Sequence, residues 1–392
     1  MKTTAFVRVF LVLLLSAQPI LPVNALAGSV TGWGFNNQGQ IDVPAGDSFV
    51  AIAVGSYHSL GFKADGSLVG WGDNECLQST VPEGGGFIAI TAGSYHSLAL
   101  KDDGTLVGWG DDYFGQSEVP ESNGFTAVAS GGFHNLALKS DGTLVGWGDD
   151  YFGQCNVPDS GGFVAIAAGA YHSLALKDDG SLVGWGDNSY GQCNVPVGND
   201  FVAITAGTYH SLALRADGSL VGWGENGSYQ CTVPEGGGFV AVAAGAFHSL
   251  ALKDDGTLVG WGDNSYGQCN VPAGAGFSAI AAGGFHSLAL LSQSPSAKEQ
   301  LLALQNDLAR ALPAGGALNR LLVKLSAACR SLDDANEKNN VAALNCLQAF
   351  INALEAQRSK NLSDQQADAF IGQAQAIAAL IARGYAGPKR SH

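Results

Sequence analysis

Short apolar segments separated by glycine-rich turns recur along most of the chain at a constant interval. In HSLALKDDGSLVGWG, residues 172–186, two apolar stretches flank an Asp-Gly pair, a pattern typical of two strands joined by a tight hairpin. A loop and a short outer strand follow in GDNSYGQCNVP, residues 186–196. In each unit a glycine-rich turn leads to a segment such as FVAIAAG, residues 163–169, whose small and β-branched residues suit a buried strand. The pattern therefore predicts four strands per unit.

Four residue types recur in strict register, each member 38 residues after the last. They are the tryptophans Trp33, Trp71, Trp109, Trp147, Trp185, Trp223 and Trp261; the histidines His58, His96, His134, His172, His210, His248 and His286; the glutamines Gln40, Gln78, Gln116, Gln154, Gln192, Gln230 and Gln268; and the phenylalanines Phe49, Phe87, Phe125, Phe163, Phe201, Phe239 and Phe277. A fixed period signals a repeat architecture, and the absence of a helical period favours radial closure over a solenoid.

Seven such units account for residues 28–294, which predicts an all-β seven-bladed β-propeller. The chain enters a unit at its third strand and leaves at its second, so we expect the closing blade to take two strands from each end. We expect the Trp and Phe residues to be buried between blades, and the repeat histidines to satisfy backbone groups between blades. Trp71, Trp109, Trp147, Trp185, His96, His134, His172 and His210 are thus predicted to be structural.

Charge divides the chain into two regions. Residues 28–294 hold 26 acidic and 6 basic residues, whereas residues 295–392 hold 8 acidic and 11 basic ones. An acidic surface of this size repels phosphate backbones, which argues against nucleic acid as a partner. Residues 1–27, with Lys2, Arg8, a short apolar stretch and a small-x-small site at Ala25-Leu26-Ala27, are predicted to be a secretory signal peptide. We expect a secreted protein in the extracellular space, at the cell surface or in the periplasm, without a membrane span.

The unit motif AAGxxHSLALKxDGxLxxWGxNxxGQ resembles the regulator of chromosome condensation repeat, over residues 28–291. With its short units and export signal, the chain is most similar to secreted bacterial propellers of the β-lactamase inhibitor protein type. The resemblance implies a seven-bladed β-propeller with a binding role and no catalytic activity. Nuclear members of the family exchange guanine nucleotide on a small GTPase and bind chromatin, which suits neither an exported nor an acidic chain.

The second region is predicted to be a small all-α bundle of four helices at residues 295–384, followed by a flexible tail at 385–392. Apolar residues fall at helical spacing at Leu344, Leu347, Phe350, Ile351 and Leu354, and again at Phe370, Ile371, Ile377, Leu380 and Ile381. Ser363 and Gln366 have the spacing of a capping box. The segment LQAFINALEAQRSKNLSDQQADAFIGQAQAIAALIA resembles the FIMAH-type helical domain, over residues 297–382.

Six of the seven cysteines fall into two groups, and Cys76 has no obvious partner. Cys155, Cys193, Cys231 and Cys269 share one repeat position that holds Ile or Ser in other units, so we expect them to be free, packed thiols. Cys329 and Cys346 lie on consecutive predicted helices, where a disulfide and two free thiols are both open.

The loops that follow each Trp vary more between units than the strands do, and they combine acidic with aromatic residues. We predict a partner-binding surface at these positions: Asp111, Asp112, Tyr113, Phe114, Asp149, Asp150, Tyr151, Phe152, Asp187, Asn188, Tyr190, Tyr229, Asp263 and Tyr266. The alternatives are turn chemistry with partial packing of the aromatics, and calcium coordination, although no unit has the spacing of a known calcium loop.

No catalytic motif occurs, and the repeat histidines are too evenly spaced to converge on a metal. We therefore predict a non-enzymatic, monomeric protein-binding module without a cofactor or metal. Its partner would be an extracellular or periplasmic protein, such as a secreted β-lactamase that it inhibits or docks. The alternative is a carbohydrate-binding or cell-wall-binding, lectin-like protein.

Overall fold

The computed structural model describes residues 27–46, 48–292, 297–312, 315–332, 337–358 and 360–385. These fall into two compact units, one β and one α, with the division between residues 293 and 294. Residues 1–26 of the predicted signal peptide, residues 293–296 and residues 386–392 of the predicted tail lie outside the described residues, whereas residue 385 belongs to the last helix. None of the described helices has the length and hydropathy needed to span a membrane.

Within residues 27–292 the described chain forms 21 strands, in seven groups that each contain an inner, a middle and an outer strand. The inner strands are β2 (Phe49–Val54), β5 (Phe87–Ala92), β8 (Phe125–Ser130), β11 (Phe163–Ala168), β14 (Phe201–Ala206), β17 (Phe239–Ala244) and β20 (Phe277–Ala282). The middle strands are β3 (His58–Lys63), β6 (His96–Lys101), β9 (His134–Lys139), β12 (His172–Lys177), β15 (His210–Arg215), β18 (His248–Lys253) and β21 (His286–Ser292). The outer strands are β1 (Gly28–Gly34), β4 (Leu68–Gly72), β7 (Leu106–Gly110), β10 (Leu144–Gly148), β13 (Leu182–Gly186), β16 (Leu220–Gly224) and β19 (Leu258–Gly262).

The groups are the blades of a closed ring, and we number them 1 to 7 from β2–β3–β4 to β20–β21–β1. Within each blade the strands are antiparallel, and each inner strand contacts the inner strand of the next blade, including β20 against β2. Blade 7 closes the ring because β1 pairs with β21 over seven positions, from Gly28↔Ser292 to Gly34↔His286. The closing blade therefore takes one strand from the start of the propeller and two from its end, which corrects the expected two from each.

The predicted fourth strand of each unit is wrong, because the segment after each loop does not join the sheet. In blade 3 this segment, around Cys155, passes over β10 so closely that an added Cβ on Gly146 would lie 2.6 Å from Cys155 O. Its backbone hydrogen bonds are local, from Asn156 N to Gly153 O and from Val157 N to Cys155 O. The proline that follows has no N–H to donate, so a ladder does not form here.

The hydrophobic core of the propeller lies between blades. A typical cluster joins Leu136 and Leu138 of blade 3 to Phe163 and Ile166 of blade 4, and equivalent clusters occur around the ring. The repeat phenylalanines are buried as expected. Burying each such side chain contributes roughly 1.5–3 kcal/mol, so the apolar pattern of each unit stabilises its contact with the next.

The second unit contains four described helices, α1 (Ala297–Ala311), α2 (Gly316–Ser331), α3 (Glu337–Glu355) and α4 (Asp364–Tyr385). The predicted apolar positions on α3 and α4 pack in its core, apart from Leu380, whose side chain is outside the described set. The capping box is confirmed: Gln366 N donates to Ser363 Oγ at 3.2 Å, and Ser363 N donates to Gln366 Oε1 at 3.0 Å.

A disulfide between Cys329 and Cys346 is not present in the structure. Both cysteines, Cys329 on α2 and Cys346 on α3, pack in the apolar core of the helical unit. The two helices are joined by this shared apolar core.

Candidate functional site

One end of every blade carries two connections that together form a surface. Strand pairing places the start of the middle strand beside the end of the outer strand, as in His96↔Gly110. The loop after each Trp and the turn before each repeat His therefore emerge on the same face. We call this the aromatic face, and its loops are residues 35–40, 73–78, 111–116, 149–154, 187–192, 225–230 and 263–268.

The buried repeat glutamine holds each loop in shape. In blade 2 the Gln116 side chain donates from Nε2 to Asp111 Oδ2 at 2.6 Å and accepts from Phe114 N at 2.8 Å. The same pair of contacts occurs for Gln154 with Asp149, for Gln192 with Asp187 and for Gln268 with Asp263. The first acidic residue of these loops is therefore a structural partner of glutamine.

The second loop position closes the loop through its side-chain oxygen. Asp112 Oδ1 accepts from Ser117 N at 2.8 Å, and Asp150 Oδ1 accepts from Cys155 N at 2.7 Å. Asn188 makes the same contact with Cys193 N at 2.9 Å. The polar residues predicted as partner-binding thus serve turn chemistry, while their outer position keeps Asp112, Asp150 and Asn188 exposed.

The aromatic side chains of the loops take no part in these hydrogen bonds. The exposed fraction is 83% for Tyr113, 84% for Tyr151, 72% for Tyr229, 56% for Tyr190 and 52% for Tyr266. Phe114 and Phe152 are each 44% exposed. Exposed apolar groups of this size concentrated on one face are typical of an interaction surface.

A second set of aromatic residues, which the sequence interpretation did not assign to the site, lies inside these loops. It consists of the residue before each repeat histidine: Tyr57, Tyr95, Phe133, Tyr171, Tyr209, Phe247 and Phe285. All seven are half-buried. Five of the seven neighbouring pairs contact each other, for example with ring centroids 6.2 Å apart for Tyr95 and Phe133 and 5.7 Å apart for Tyr171 and Tyr209. This inner ring follows the same 38-residue spacing, which was the signal that could have identified it.

The loop aromatics pack edge-on or tilted against the inner ring of the next blade. Centroid distances are 5.6 Å for Phe114 with Phe133, 5.7 Å for Phe152 with Tyr171, and 5.1 Å for Tyr190 with Tyr209. In turn, Tyr113 contacts Phe114 at 4.8 Å. In blades 2 and 3, contacting rings therefore run from the inner ring out to the two most exposed tyrosines, Tyr113 and Tyr151.

The invariant residues of the repeat form a buried network beneath this face. Between blades 1 and 2, Gln78 O accepts from Trp109 Nε1 and from Ser97 Oγ, both at 2.9 Å. Because Ser97 donates its only proton to this carbonyl, its oxygen accepts from His58 Nε2 at 2.8 Å. The histidine therefore carries its proton on Nε2. The predicted partner of each histidine was a backbone group; the structure places a Ser or Asn side chain of the next blade there.

Burial makes these histidines neutral. Desolvation lowers the pKa to about 3 for His58, His134, His210 and His286, and to about 4 for His96, His172 and His248. In the second group a nearby carboxylate, such as Asp187 beside His172, partly opposes the effect of burial on the pKa. Since charging them is so unfavourable, the structural role predicted for them agrees with their surroundings.

The repeat tryptophans are less buried than expected. Trp33 and Trp71 are buried, whereas Trp109, Trp147, Trp185, Trp223 and Trp261 are half-buried. Each indole N–H nevertheless donates to the backbone carbonyl of a repeat glutamine in the preceding blade. The tryptophans therefore connect blades even where one edge of the ring reaches solvent.

A cavity of about 180 Å³ lies on the ring axis. Its walls are the ends of the inner strands and the turns after them, with small residues such as Ala92, Gly93 and Ser94 from blade 2. Small residues of every blade therefore line the ring axis. In the described parts of both units, no three His, Cys, Asp or Glu residues come close enough together to hold a metal ion.

Comparison with known proteins agrees with this architecture. Six segments match the model of the regulator of chromosome condensation (RCC1) repeat: residues 49–78, 87–116, 125–154, 163–192, 201–230 and 239–268. The blades, their order and this repeat define an RCC1-like β-propeller.

Solved structures with the same fold come from yeast, human and moss. Prp20p from Saccharomyces cerevisiae is 18% identical, with a TM-score of 0.61, and the match covers 70% of this chain and 94% of Prp20p. Human WBSCR16 is 19% identical, with a TM-score of 0.56 and coverage of 67% and 98%. The ectodomain of the Physcomitrella patens receptor kinase CR4 is 24% identical, with a TM-score of 0.52 and coverage of 60% and 69%. A search of the curated proteins found no significant match.

Proposed function

We propose that this protein is a non-catalytic protein-binding module and that the aromatic face is its binding surface. The exposed loop aromatics, packed against the inner ring, are the observation that supports this function most directly. Tyr and Phe provide large contact area with few rotatable bonds, and aromatic residues dominate the energetics of protein interfaces. The loops that carry them are fixed by the buried glutamines, so little conformational entropy is lost on binding.

The exposed tyrosines of blades 2 and 3 offer a test that leaves the loops intact. At the position of Tyr113 and Tyr151, blades 4 and 6 carry Ser189 and Ser265 in loops with the same glutamine contacts. The double variant Tyr113→Ser/Tyr151→Ser should therefore fold normally. Truncating two exposed anchors should weaken partner binding at least tenfold, which corresponds to about 1.4 kcal/mol.

The measurement is affinity capture from the secreted fraction of the source, followed by titration of the captured protein. Val197→Ser is the matched control, because Val197 is 99% exposed and follows the fourth segment of its unit, away from the aromatic face. Equal capture by wild type, double variant and control would rule out this face as the binding surface. Retention on a glycan array without any captured protein would replace the proposal with carbohydrate binding.

The location and the partner extend the same proposal. The predicted signal peptide favours a secreted protein, and a secreted enzyme such as a β-lactamase is a suitable partner for a propeller of this type. Adding the purified protein at micromolar concentration should then slow β-lactam hydrolysis. Unchanged hydrolysis by several secreted β-lactamases would remove this class of partner while leaving the binding surface to be tested by capture.

Among the structural neighbours, Prp20p binds Gsp1p and histones. We propose the shared element to be the use of a propeller as a protein-binding scaffold, and we do not extend guanine-nucleotide exchange to this chain. The loops and inner ring described above belong to its own sequence, and the chain is only 18% identical to Prp20p.

A further inference from the structure

Charge is distributed asymmetrically between the two faces of the propeller. Its basic residues are Lys63, Lys101, Lys139, Lys177, Arg215 and Lys253, and each is the last residue of a middle strand. The pairing Phe87↔Lys101 places this position at the end of the blade opposite the aromatic face. There each cation lies over the repeat phenylalanine of its own blade, at 5.5 to 5.8 Å for the lysines and 4.7 Å for Arg215.

All the charged residues of the aromatic face are acidic. Its loops and the residues directly after them carry Asp42, Asp73, Glu75, Asp111, Asp112, Glu118, Asp149, Asp150, Asp187, Glu225 and Asp263, and no Lys or Arg. The aromatic rings there consequently have no cation of the propeller to pair with among the described residues. Tyr and Phe rings attract Lys and Arg side chains, by about 0.5–2 kcal/mol at each contact.

Two loops stand out because their charge is not needed for their shape. The second loop position is Asn in five blades and Asp in two, Asp112 and Asp150. Asn36, Asn74, Asn188, Asn226 and Asn264 all accept the same backbone hydrogen bond, at 2.8 to 3.0 Å. An amide thus serves the fold as well as a carboxylate, so the charge at Asp112 and Asp150 is left without a structural explanation.

The same two loops carry the most exposed tyrosines and are identical in sequence, Asp-Asp-Tyr-Phe, on neighbouring blades. We propose that the loops at 111–114 and 149–152 are two equivalent subsites for Lys or Arg side chains of a protein partner. This inference rests on the proposed function and specifies the chemistry of the partner surface. Each subsite combines an exposed carboxylate, which attracts the cation, with a tyrosine ring on which it can stack.

The test measures binding of a fluorescent Arg-Ser repeat peptide to the full chain by anisotropy, with a Glu-Ser repeat peptide as the charge-reversed probe. The variant Asp112→Asn/Asp150→Asn keeps the side-chain acceptor used in the other blades and should retain the fold, as circular dichroism would confirm. Glu83→Gln/Glu121→Gln is the matched control, since it removes the same charge from exposed positions outside the aromatic face.

Wild type should bind the arginine peptide and not the glutamate peptide. The Asp112/Asp150 variant should bind it about fivefold more weakly, and the control should change by less than about twofold. Equal weakening by both variants would mean general attraction to an acidic protein and would overturn the subsites.

The proposed function and this inference fail in different ways. If the arginine peptide does not bind, yet a captured protein is held by wild type and lost from Tyr113→Ser/Tyr151→Ser, the cationic subsites are wrong and the binding face stands. If neither the peptide nor any captured protein depends on these loops, both proposals are wrong.

Discussion

His96 donates a hydrogen bond from Nε2 to Oδ1 of Asn135 in the next blade, at 2.7 Å. Asn135 stands where the other six blades have serine. Its Nδ2 donates to Gln116 O at 2.9 Å, so the amide accepts from histidine and donates to the glutamine carbonyl, as a single serine hydroxyl does elsewhere. The repeat therefore requires one donor and one acceptor at this point rather than a particular residue.

Replacing Asn135 should show this requirement directly. Asn135→Leu leaves the buried Nε2–H of His96 and a lone pair of Gln116 O without partners, so we expect a loss of about 2–4 kcal/mol in the free energy of unfolding. Asn135→Ser is the control and should cost less than about 1 kcal/mol, because serine fills this position in the other blades. Urea denaturation followed by tryptophan fluorescence measures both, since all the tryptophans lie in the propeller. Equal losses in the two variants would contradict the hydrogen-bonding argument.

The seven buried repeat histidines should make the propeller sensitive to acid. The folded-state pKa values of about 3 to 4 lie below the ordinary histidine pKa of 6.5, so the unfolded chain takes up protons first as pH falls. The contribution of each histidine to the free energy of unfolding is then fully present above about pH 6.5. As pH falls towards 3 to 4, it decreases by roughly 1.4 kcal/mol per pH unit. Seven histidines together give a slope of nearly 10 kcal/mol per pH unit, about enough to unfold the ring near pH 5.

Urea unfolding at a series of pH values measures this slope, with tryptophan fluorescence reporting the propeller alone. The groups nearest the ring, Asp111 and Asp112 by His96, Asp187 by His172 and Asp263 by His248, raise the histidine pKa slightly and do not reverse the sign. A free energy that stays flat between pH 6.5 and 4.5 would show that the histidines are not neutral and buried as described.

Glycine is required in the turn after each inner strand, where the backbone passes close to the imidazole of the repeat histidine in the same blade. A Cβ on Gly93 would fall well inside contact distance of the His96 ring and 2.6 Å from Gly131 O in the next blade. We expect Gly93→Ala to destabilise the propeller by more than about 2 kcal/mol. Gly85→Ala, with open space around the added Cβ and no positive φ, should be neutral or slightly stabilising. Thermal unfolding of the two variants compares them, and similar melting temperatures would refute the packing argument.

The blade cysteines should be unreactive in the folded protein. Burial, together with nearby carboxylates, raises the pKa to about 12 for Cys155, Cys193 and Cys231 and to about 11 for Cys269. At pH 8 their thiolate fraction is therefore below about 0.1%, so iodoacetamide should modify them far more slowly than in urea. Mass spectrometry of the alkylated peptides gives the rates. Cys155→Ser should fold normally, because Ser117 Oγ makes the equivalent contact with Asp111 O; rapid native alkylation would contradict this environment.

The repeat spacing predicts much of the fold, because each unit packs against neighbouring units with the same sequence pattern. Trp109, Gln78 and His58 recur at one interval for the reason that they form one network between two blades. The missing fourth strand could not be read from the pattern, since Cys155 and Val157 are as apolar as strand residues. The backbone of this segment forms local hydrogen bonds instead of pairing with a neighbouring strand. The residue types in the segment do not indicate this choice.

The candidate site was only partly visible for a similar reason. The sequence identified Tyr113 and Tyr151 as exposed aromatics, but it could not distinguish a carboxylate used in a turn, as in Asp111, from one whose charge is unused, as in Asp112. The sequence did not assign the inner ring to the site, because Tyr95 and its equivalents recur with the same 38-residue spacing as the buried structural residues. Regularity alone does not separate a residue that supports a surface from one that forms it.

The pairing of β1 with β21 also sets the order in which the ring can be completed. Gly28 must wait for Ser292, its partner in the ladder, so a ribosome has to deliver the whole propeller before its first strand finds its place. Until then the edges of two blades and the partners of His286 stay exposed to solvent or to other chains. Ring closure therefore cannot occur before β21 has been made, and until then a nascent chain is exposed to mispairing with another copy of itself.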